Sequence, residues 1–263
     1  MNIPPIGFIG TGNMGSALAR AVRRALPEAE LFCSNRGPEK AQALAQELGG
    51  RAVSGEEAAW QCGLLFLGVK PNGIPGLLES LARPLTQRED PPLLVSMAAG
   101  VGLDQLEDLA PRCPVVRIMP NTPVSIGQGV TLYTCGQRAK KEDRELVLAA
   151  LAQSGSLVEI PESQMEAAGV VAGCGPAFVD LFLEALADGG VFCGLPRALA
   201  LTLAAEMTAG AARLALESGK HPGALKDAVC SPGGSTIRGV RELERAGLRG
   251  GVIEAVLASA GER

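Results

Sequence analysis

Two stretches of this chain carry residue types at spacings suited to holding anions. The first is Ile6-Gly7-Phe8-Ile9-Gly10-Thr11-Gly12-Asn13-Met14-Gly15, an apolar run ending in three glycines spaced GxGxxG. An alanine-rich stretch with helical periodicity follows, with Met14, Leu18, Ala21, Val22 and Ala25 on one face. Strand, glycine loop and helix in that order suit a dinucleotide. The first glycine permits a tight turn, the second admits a pyrophosphate, and the third lets helix and strand pack closely. The second stretch is Ser231-Pro232-Gly233-Gly234-Ser235-Thr236, two glycines and three hydroxyls directly before a helical pattern. Alone, it is explained by ordinary capping through Ser235 or Thr236. Beside a dinucleotide loop it reads as a carboxylate-sized nest, and the pair implies a small acid held near a nicotinamide.

Further candidates fall at the ends of other strand patterns. Glu30-Leu31-Phe32-Cys33 reads as a strand that ends at Ser34-Asn35-Arg36. This is about 20 residues past the glycines, where an acidic residue would hold a ribose hydroxyl. No acid stands from Cys33 to Gly37. Arg36 suits a phosphate dianion instead, so NADP(H) is expected over NAD(H), which stays an alternative. Leu64 to Val69 is a continuous apolar run, as in a central parallel strand, and Lys70-Pro71 closes it. Leu93 to Met97 ends in Ala98-Ala99-Gly100, residues small enough for a flat ring to lie against the backbone. Val115 to Met119 ends in Pro120-Asn121-Thr122-Pro123, where the Asn121 amide suits a nicotinamide carboxamide or a substrate group.

The elements that must position these residues change character at Pro161. Before it, helices are expected over Pro38–Leu48, Ser54–Gln61 and Lys141–Gln153, with further strands at Arg51–Val53, Val130–Tyr133 and Ser156–Ile160. Alternating strands and helices predict an α/β fold, an N-terminal Rossmann-type doubly wound sheet over residues 1–160. From 161 to 263 the pattern is all-α. Helices are expected near Glu162–Ala172, Pro176–Phe192, Pro196–Ser218, Pro222–Val229, Thr236–Ala246 and Gly251–Ala260. Pro176, Pro196 and Pro222 stand where a first helical turn tolerates proline. The helix from Pro196 is apolar on more than one face, which calls for a partner subunit.

Composition narrows the class. Of 263 residues, 47% are hydrophobic and 20% charged, with a net charge of −4, which argues for a packed chain and against nucleic acid or an anionic membrane as partner. The seven cysteines are scattered and never spaced CxxC, so neither a metal centre nor a disulfide framework is expected. They read as reduced, mostly packed thiols of a cytoplasmic protein. Met1-Asn2-Ile3-Pro4-Pro5 carries no leader pattern. The longest apolar stretch, Ala167 to Val179, holds Pro176 and three glycines and reads as too short to span a bilayer.

Seven segments spread over the chain resemble the pyrroline-5-carboxylate reductase family. They are the first glycine loop, Val69-Lys70-Pro71, Ala98-Ala99-Gly100-Val101, Met119-Pro120-Asn121-Thr122-Pro123, Gly173-Cys174-Gly175-Pro176-Ala177, Ala185 to Gly190, and Lys226-Asp227 to Thr236. The resemblance implies NAD(P)H-dependent reduction of a cyclic imino acid to proline. It implies a cofactor site lined by Ile9 to Met14, Ser34, Gly68, Val69, Lys70, Pro71, Met97, Ala98 and Ala99. Ser231, Gly233, Gly234, Ser235 and Thr236 would hold the substrate carboxylate, Thr236 lying near the ring nitrogen as the catalytic donor, and Glu162 would stand by the active site as a substrate-binding acid. It further implies a homodimer through the C-terminal helices and assembly into a ring, a decamer of dimers. The chain departs from the family at Ala172 and Cys174, where serine is usual, at Phe178, where tyrosine is common, and near Gly55, where an asparagine is often found.

The chemistry suits what the chain lacks. An imine protonated on nitrogen is already electrophilic, so positioning and one donor suffice without a strong acid. His221, the only histidine, precedes Pro222 between helices and reads as a surface or subunit-contact residue. A β-hydroxyacid dehydrogenase, the nearest rival, needs a lysine where Val179 stands, and no lysine occurs from Glu142 to Gly219. A non-catalytic NADP-binding redox sensor would have no use for the Gly233–Thr236 nest.

Overall fold

The computed structural model describes residues 3–261. Met1 and Asn2, where the leader reading begins, and Glu262 and Arg263, at the end of the expected helical half, lie outside the described residues. The strands are β1 Ile6–Ile9, β2 Leu31–Ser34, β3 Arg51–Ala52, β4 Leu64–Leu67, β5 Leu93–Ser96, β6 Val115–Pro120, β7 Gly129–Cys135 and β8 Gly155–Glu159. They form one sheet in the order β3-β2-β1-β4-β5-β6-β7-β8, parallel throughout except where β7 runs against β6. Strand order reverses between β1 and β4, and the crevice outside the carboxyl ends of such a pair is where open α/β sheets bind ligands.

Helices cover both faces. They are α1 Asn13–Ala25, α2 Pro38–Leu48, α3 Gly55–Gln61, α4 Ile74–Ser80, α5 Ala82–Gln87, α6 Leu103–Leu109 and α7 Lys141–Ala150. Alternation along the strands sorts the core into two layers. Phe8, Phe66, Val95, Val116 and Ile118 pack with α1, α2 and α7, and the Phe8 and Phe66 rings stack at 4.8 Å. Ile9, Phe32, Leu65, Leu67 and Val115 pack with α3 to α6. The strand pattern and α2 agree with the sequence reading, but α4, α5 and α6 were not foreseen. Each is six or seven residues long, and Pro75 and Pro84 interrupt the periodicity of the first two, so no helical period accumulates.

The helical half contains α8 Met165–Gly169, α9 Gly175–Phe192, α10 Arg197–Ser218, α11 Pro222–Ala228, α12 Ser235–Arg245 and α13 Leu248–Ser259. A π-helical turn, Val170–Cys174, joins α8 to α9 without a break. The segments expected to end at Ala172 and restart at Pro176 are therefore one helical run of 31 residues, Glu162–Phe192. Pro176 lies in the first turn of α9; its missing N–H leaves the Ala172 carbonyl, four residues earlier in the run, without that helical donor, and Asn121 Nδ2 donates to it at 3.0 Å. This corrects the estimate of a stretch too short to span a bilayer: by length and composition alone, this run and Arg197–Ser218 are both long and apolar enough. The first also carries Asp180, Glu184 and Asp188 at four-residue spacing, carboxylates that are costly in hydrocarbon.

Packing divides the chain into two units, Met1–Gly173 and Cys174–Arg263. The pattern changes at Pro161, whereas the packing changes at Gly173. Between these points the helix still belongs to the sheet: Met165 is fully buried, and Gly169 approaches Met119 so closely that a Cβ would overlap its sulfur.

Candidate functional site

The glycine loop occupies the β1/β4 reversal, and its glycines differ in what requires them. Gly10 has φ +102°, a conformation favouring glycine, and its backbone packs on Gly68. A Cβ there would lie 2.5 Å from the Gly68 carbonyl carbon and 2.8 Å from Val69 N. Gly15 lies against the Gly10 carbonyl oxygen, which brings α1 down onto the loop. A Cβ on Gly12 would meet nothing within 4 Å. The protein's own packing asks for glycine at 10 and 15; at 12 the open space faces outward. Gly12 is also the N-cap of α1, and no side chain caps that helix. Its first-turn N–H groups are left for an external acceptor at the positive end of the helix dipole. Met97 joins this junction, its sulfur 3.5 Å from where a Gly68 Cβ would be. Gly10, Gly68 and Met97 thus converge from three strand ends.

The β2 end extends this crevice. Ser34 is buried and its carbonyl accepts from Gly10 N at 2.8 Å. Asn35 ties the two loops together: Oδ1 accepts from Thr11 N at 3.4 Å and Nδ2 donates to Gly37 O at 3.3 Å. Beyond lies a cleft of about 540 Å³ lined by Ser34, Asn35, Arg36, Ser54, Gly55 and Glu57, among others. Arg36 is exposed at its mouth. The Ser34 hydroxyl, the Asn35 amide and the Arg36 guanidinium could hold the 2′-phosphate end of NADP(H) and the uncapped α1 its pyrophosphate. Ser54 Oγ in the same lining accepts from Glu57 N, and the Glu57 carboxylate faces Arg51 at 3.7 Å. Lys70 and Pro71 stand exposed just past β4, where Lys70 O accepts from Gly73 N at 2.8 Å.

In the helical unit, the Ser231–Thr236 stretch forms a turn ahead of α12. Gly233 has φ +68°, and Gly234 N donates to Ser231 O at 3.0 Å. The N-cap is Gly234, with no side-chain cap, so neither Ser235 nor Thr236 is spent on capping. Both hydroxyls sit exposed in the first turn of α12, alongside unpaired backbone donors. His221 does cap: its Nδ1 accepts from Gly223 N at 3.1 Å at the start of α11.

Two residues expected to contact ligand make bonds within the fold. Asn121 is buried, its Oδ1 accepting from Val130 N at 2.8 Å and its Nδ2 donating to Ala172 O at 3.0 Å. It holds the π-turn and the start of β7 to the end of β6, which corrects its assignment to the cofactor. Glu162 Oε1 accepts from Arg117 Nη1 at 2.7 Å and from Leu103 N at 3.1 Å, so one oxygen of this carboxylate is engaged within the fold. Arg117, unremarked in the sequence, is 3% exposed and also reaches Glu166 Oε1 at 2.5 Å.

Residues 162–263 match the family model for pyrroline-5-carboxylate reductase dimerisation. Residues 5–100 match that for coenzyme F420-dependent NADP oxidoreductases. The chain is 38% identical over 258 residues to the pyrroline-5-carboxylate reductase of Pisum sativum, covering 97% of this chain and 93% of that protein. The chain belongs to the pyrroline-5-carboxylate reductase family. The reductase of Escherichia coli (strain K12) is 41% identical, covering 95% of this chain and 94% of that one. The crystal structure of Plasmodium falciparum pyrroline carboxylate reductase with NADP bound superposes with a TM-score of 0.87 at 32% identity, covering 99% of this chain and 97% of that chain. Within the reductase family, alanine in place of serine at 172 leaves the Asn121 contact intact, because the group that Asn121 meets is the Ala172 backbone carbonyl.

Proposed function

We propose that the protein catalyses the NADPH-dependent reduction of 1-pyrroline-5-carboxylate to L-proline, the last step of proline biosynthesis, as a cytoplasmic enzyme. The observation that carries this reading is the uncapped α12 N-terminus behind Gly234, an acid-binding nest in a chain whose named relatives match it nearly end to end. The NADP(H)-binding domain is assigned to residues 1–160, and dimerisation and substrate binding to 161–263. The apolar faces of α9 and α10 are covered by a second copy of the chain, and dimers assemble further into a ring.

The reduced nicotinamide, when bound, supplies a hydride to the imine carbon. The chain's own residues do the rest. The α1 N-terminus and the loop from Ile9 to Gly15 hold the pyrophosphate, and Ser34, Asn35 and Arg36 hold the 2′-phosphate end. Gly68 to Pro71 and Met97 to Ala99 flank the ring. Ser231, Gly233, Gly234 and Ser235 hold the substrate carboxylate with backbone and hydroxyl donors. Thr236 stands at the ring nitrogen, and its hydroxyl donates to the lone pair that forms there as hydride adds to carbon and the C=N electron pair moves onto nitrogen. The substrate already carries its proton there, so donation and orientation supply the acceleration.

The test follows NADPH absorbance with pyrroline-5-carboxylate added. Steady oxidation, faster than with NADH, is the expected result. Tight NADPH binding without turnover would leave a redox sensor, and turnover of a 3-hydroxy acid instead would favour the rival dehydrogenase class.

A further inference from the structure

Arg117 is a charge in the wrong place for a core strand. It follows Val115 by two residues, so its side chain leaves β6 on the face that packs with α3 to α6. In register it stands between Ser96 of β5 and Thr134 of β7. Its two terminal nitrogens reach different carboxylates, Glu162 and Glu166, and these do different things. Glu166 is largely exposed and, among the described residues, pairs with Arg117. Glu162 accepts from Arg117 and, through the same oxygen, from the backbone N–H of Leu103.

Leu103 opens α6 and closes the Met97–Gly102 loop that follows β5. That loop comes so near Glu162 that a Cβ on Gly102 would lie 3.3 Å from Oε1. Stability alone is a poor explanation for the arrangement. Glu162 Oε2 and Arg117 Nε are both buried without a hydrogen-bond partner, and such groups cost free energy.

We propose that Arg117 and Glu162 are positioning residues for hydride transfer: through the bond to Leu103 they fix the Met97–Gly102 loop on which the nicotinamide rests. The proposal depends on the reading of that loop as the nicotinamide's support. In this role neither residue need touch substrate. Arg117 orients Glu162, Glu162 pins the loop end, and the small residues Ala98 and Ala99 are thereby held at a set depth. Misplacing a reacting centre by about 1 Å costs on the order of a hundredfold in rate, so slack here falls on kcat.

The test compares Glu162→Ala with Glu166→Ala. Each removes one carboxylate from Arg117, but only the first releases Leu103. Glu162→Ala is expected to lower kcat at least about tenfold with NADPH affinity within about threefold, and to raise the isotope effect with 4-deuterated NADPH. Glu166→Ala is expected to keep kcat within about threefold. Amide hydrogen exchange over 98–103 should speed up in the first variant only, with exchange over Ile6–Ile9 unchanged in both. If the alanine variants do not fold, Glu162→Gln and Glu166→Gln carry the same comparison with smaller effects. Equal losses in the two variants, or unchanged kcat and unchanged exchange in Glu162→Ala, would overturn the proposal. Should the wild type fail to turn over the imine, the reductase reading falls, while the exchange comparison still decides whether Glu162 pins the loop.

Discussion

The two units treat apolar surface in opposite ways. The sheet unit buries it within itself: Ile6, Leu18, Leu64, Leu65, Phe66 and Leu67 are inaccessible, in two layers that cover both faces. In the helical unit the buried apolar residues among the described ones are three alanines, Ala187, Ala200 and Ala204. Its large side chains face outward, with Phe192 94% and Leu216 84% exposed and Leu199, Leu203, Met207 and Leu214 about half so. Apolar area on that scale marks a surface made to be covered. The carboxylates along α9 argue that protein covers it, not lipid. The first half is a domain in its own right. The second leaves its apolar surface open, in the segment that matches the family's dimerisation model.

That contrast can be broken by experiment. The largest effect is expected from Leu203→Asp with Met207→Asp, charges one turn apart on α10. Burying them against a partner should weaken self-association on the order of a thousandfold, read by light scattering. A dimer of unchanged strength would remove the contrast. Leu18→Ala, in the sheet unit, should cost roughly 2–5 kcal/mol in urea unfolding of that unit and leave the oligomer unchanged.

Alkaline pH sharpens the same comparison. Burial pushes the Cys33 and Cys113 thiols up to about 11 and Cys62 to about 12, from an ordinary value of 9.0. These groups stay protonated in the fold while the unfolded chain ionises, so their contribution is intact below pH 9 and is lost as pH rises from there toward 11 to 12. The loss is about 1.4 kcal/mol per pH unit for each thiol. A midpoint that is flat across this range would contradict the packing of the sheet unit. The smallest effect is expected from Arg36→Asp, which should shift the NADPH-to-NADH preference about tenfold toward NADH. An unchanged ratio would show that Arg36 is only solvated.

Local chemistry was legible in the sequence, and distant pairing was not. Gly10 and Gly15 announce their packing because a loop's geometry is written in consecutive residues, and the turn through Gly233 and Gly234 ahead of α12 is readable for the same reason. Asn121 misled because a polar residue at a strand end looks the same whether it faces a ligand or, as here, braces Val130 and Ala172. Arg117 carried a weak signal, a lone charge within Val115-Val116-Arg117-Ile118-Met119. Its partners lie 45 and 49 residues away, where no periodicity reaches. The helical run across Gly173 was hidden by Pro176 and by the glycines at 169, 173 and 175, across which a π-turn carries the helix.

The central claim is a division of labour between two uncapped helix N-termini, α1 for the cofactor and α12 for the acid. Thr236→Ala tests it most directly, with kcat for the five-membered imine and NADPH affinity measured on the same preparation. The account predicts a fall in kcat on the order of a hundredfold with NADPH affinity held within about threefold. Equal losses in turnover and in NADPH binding would contradict it.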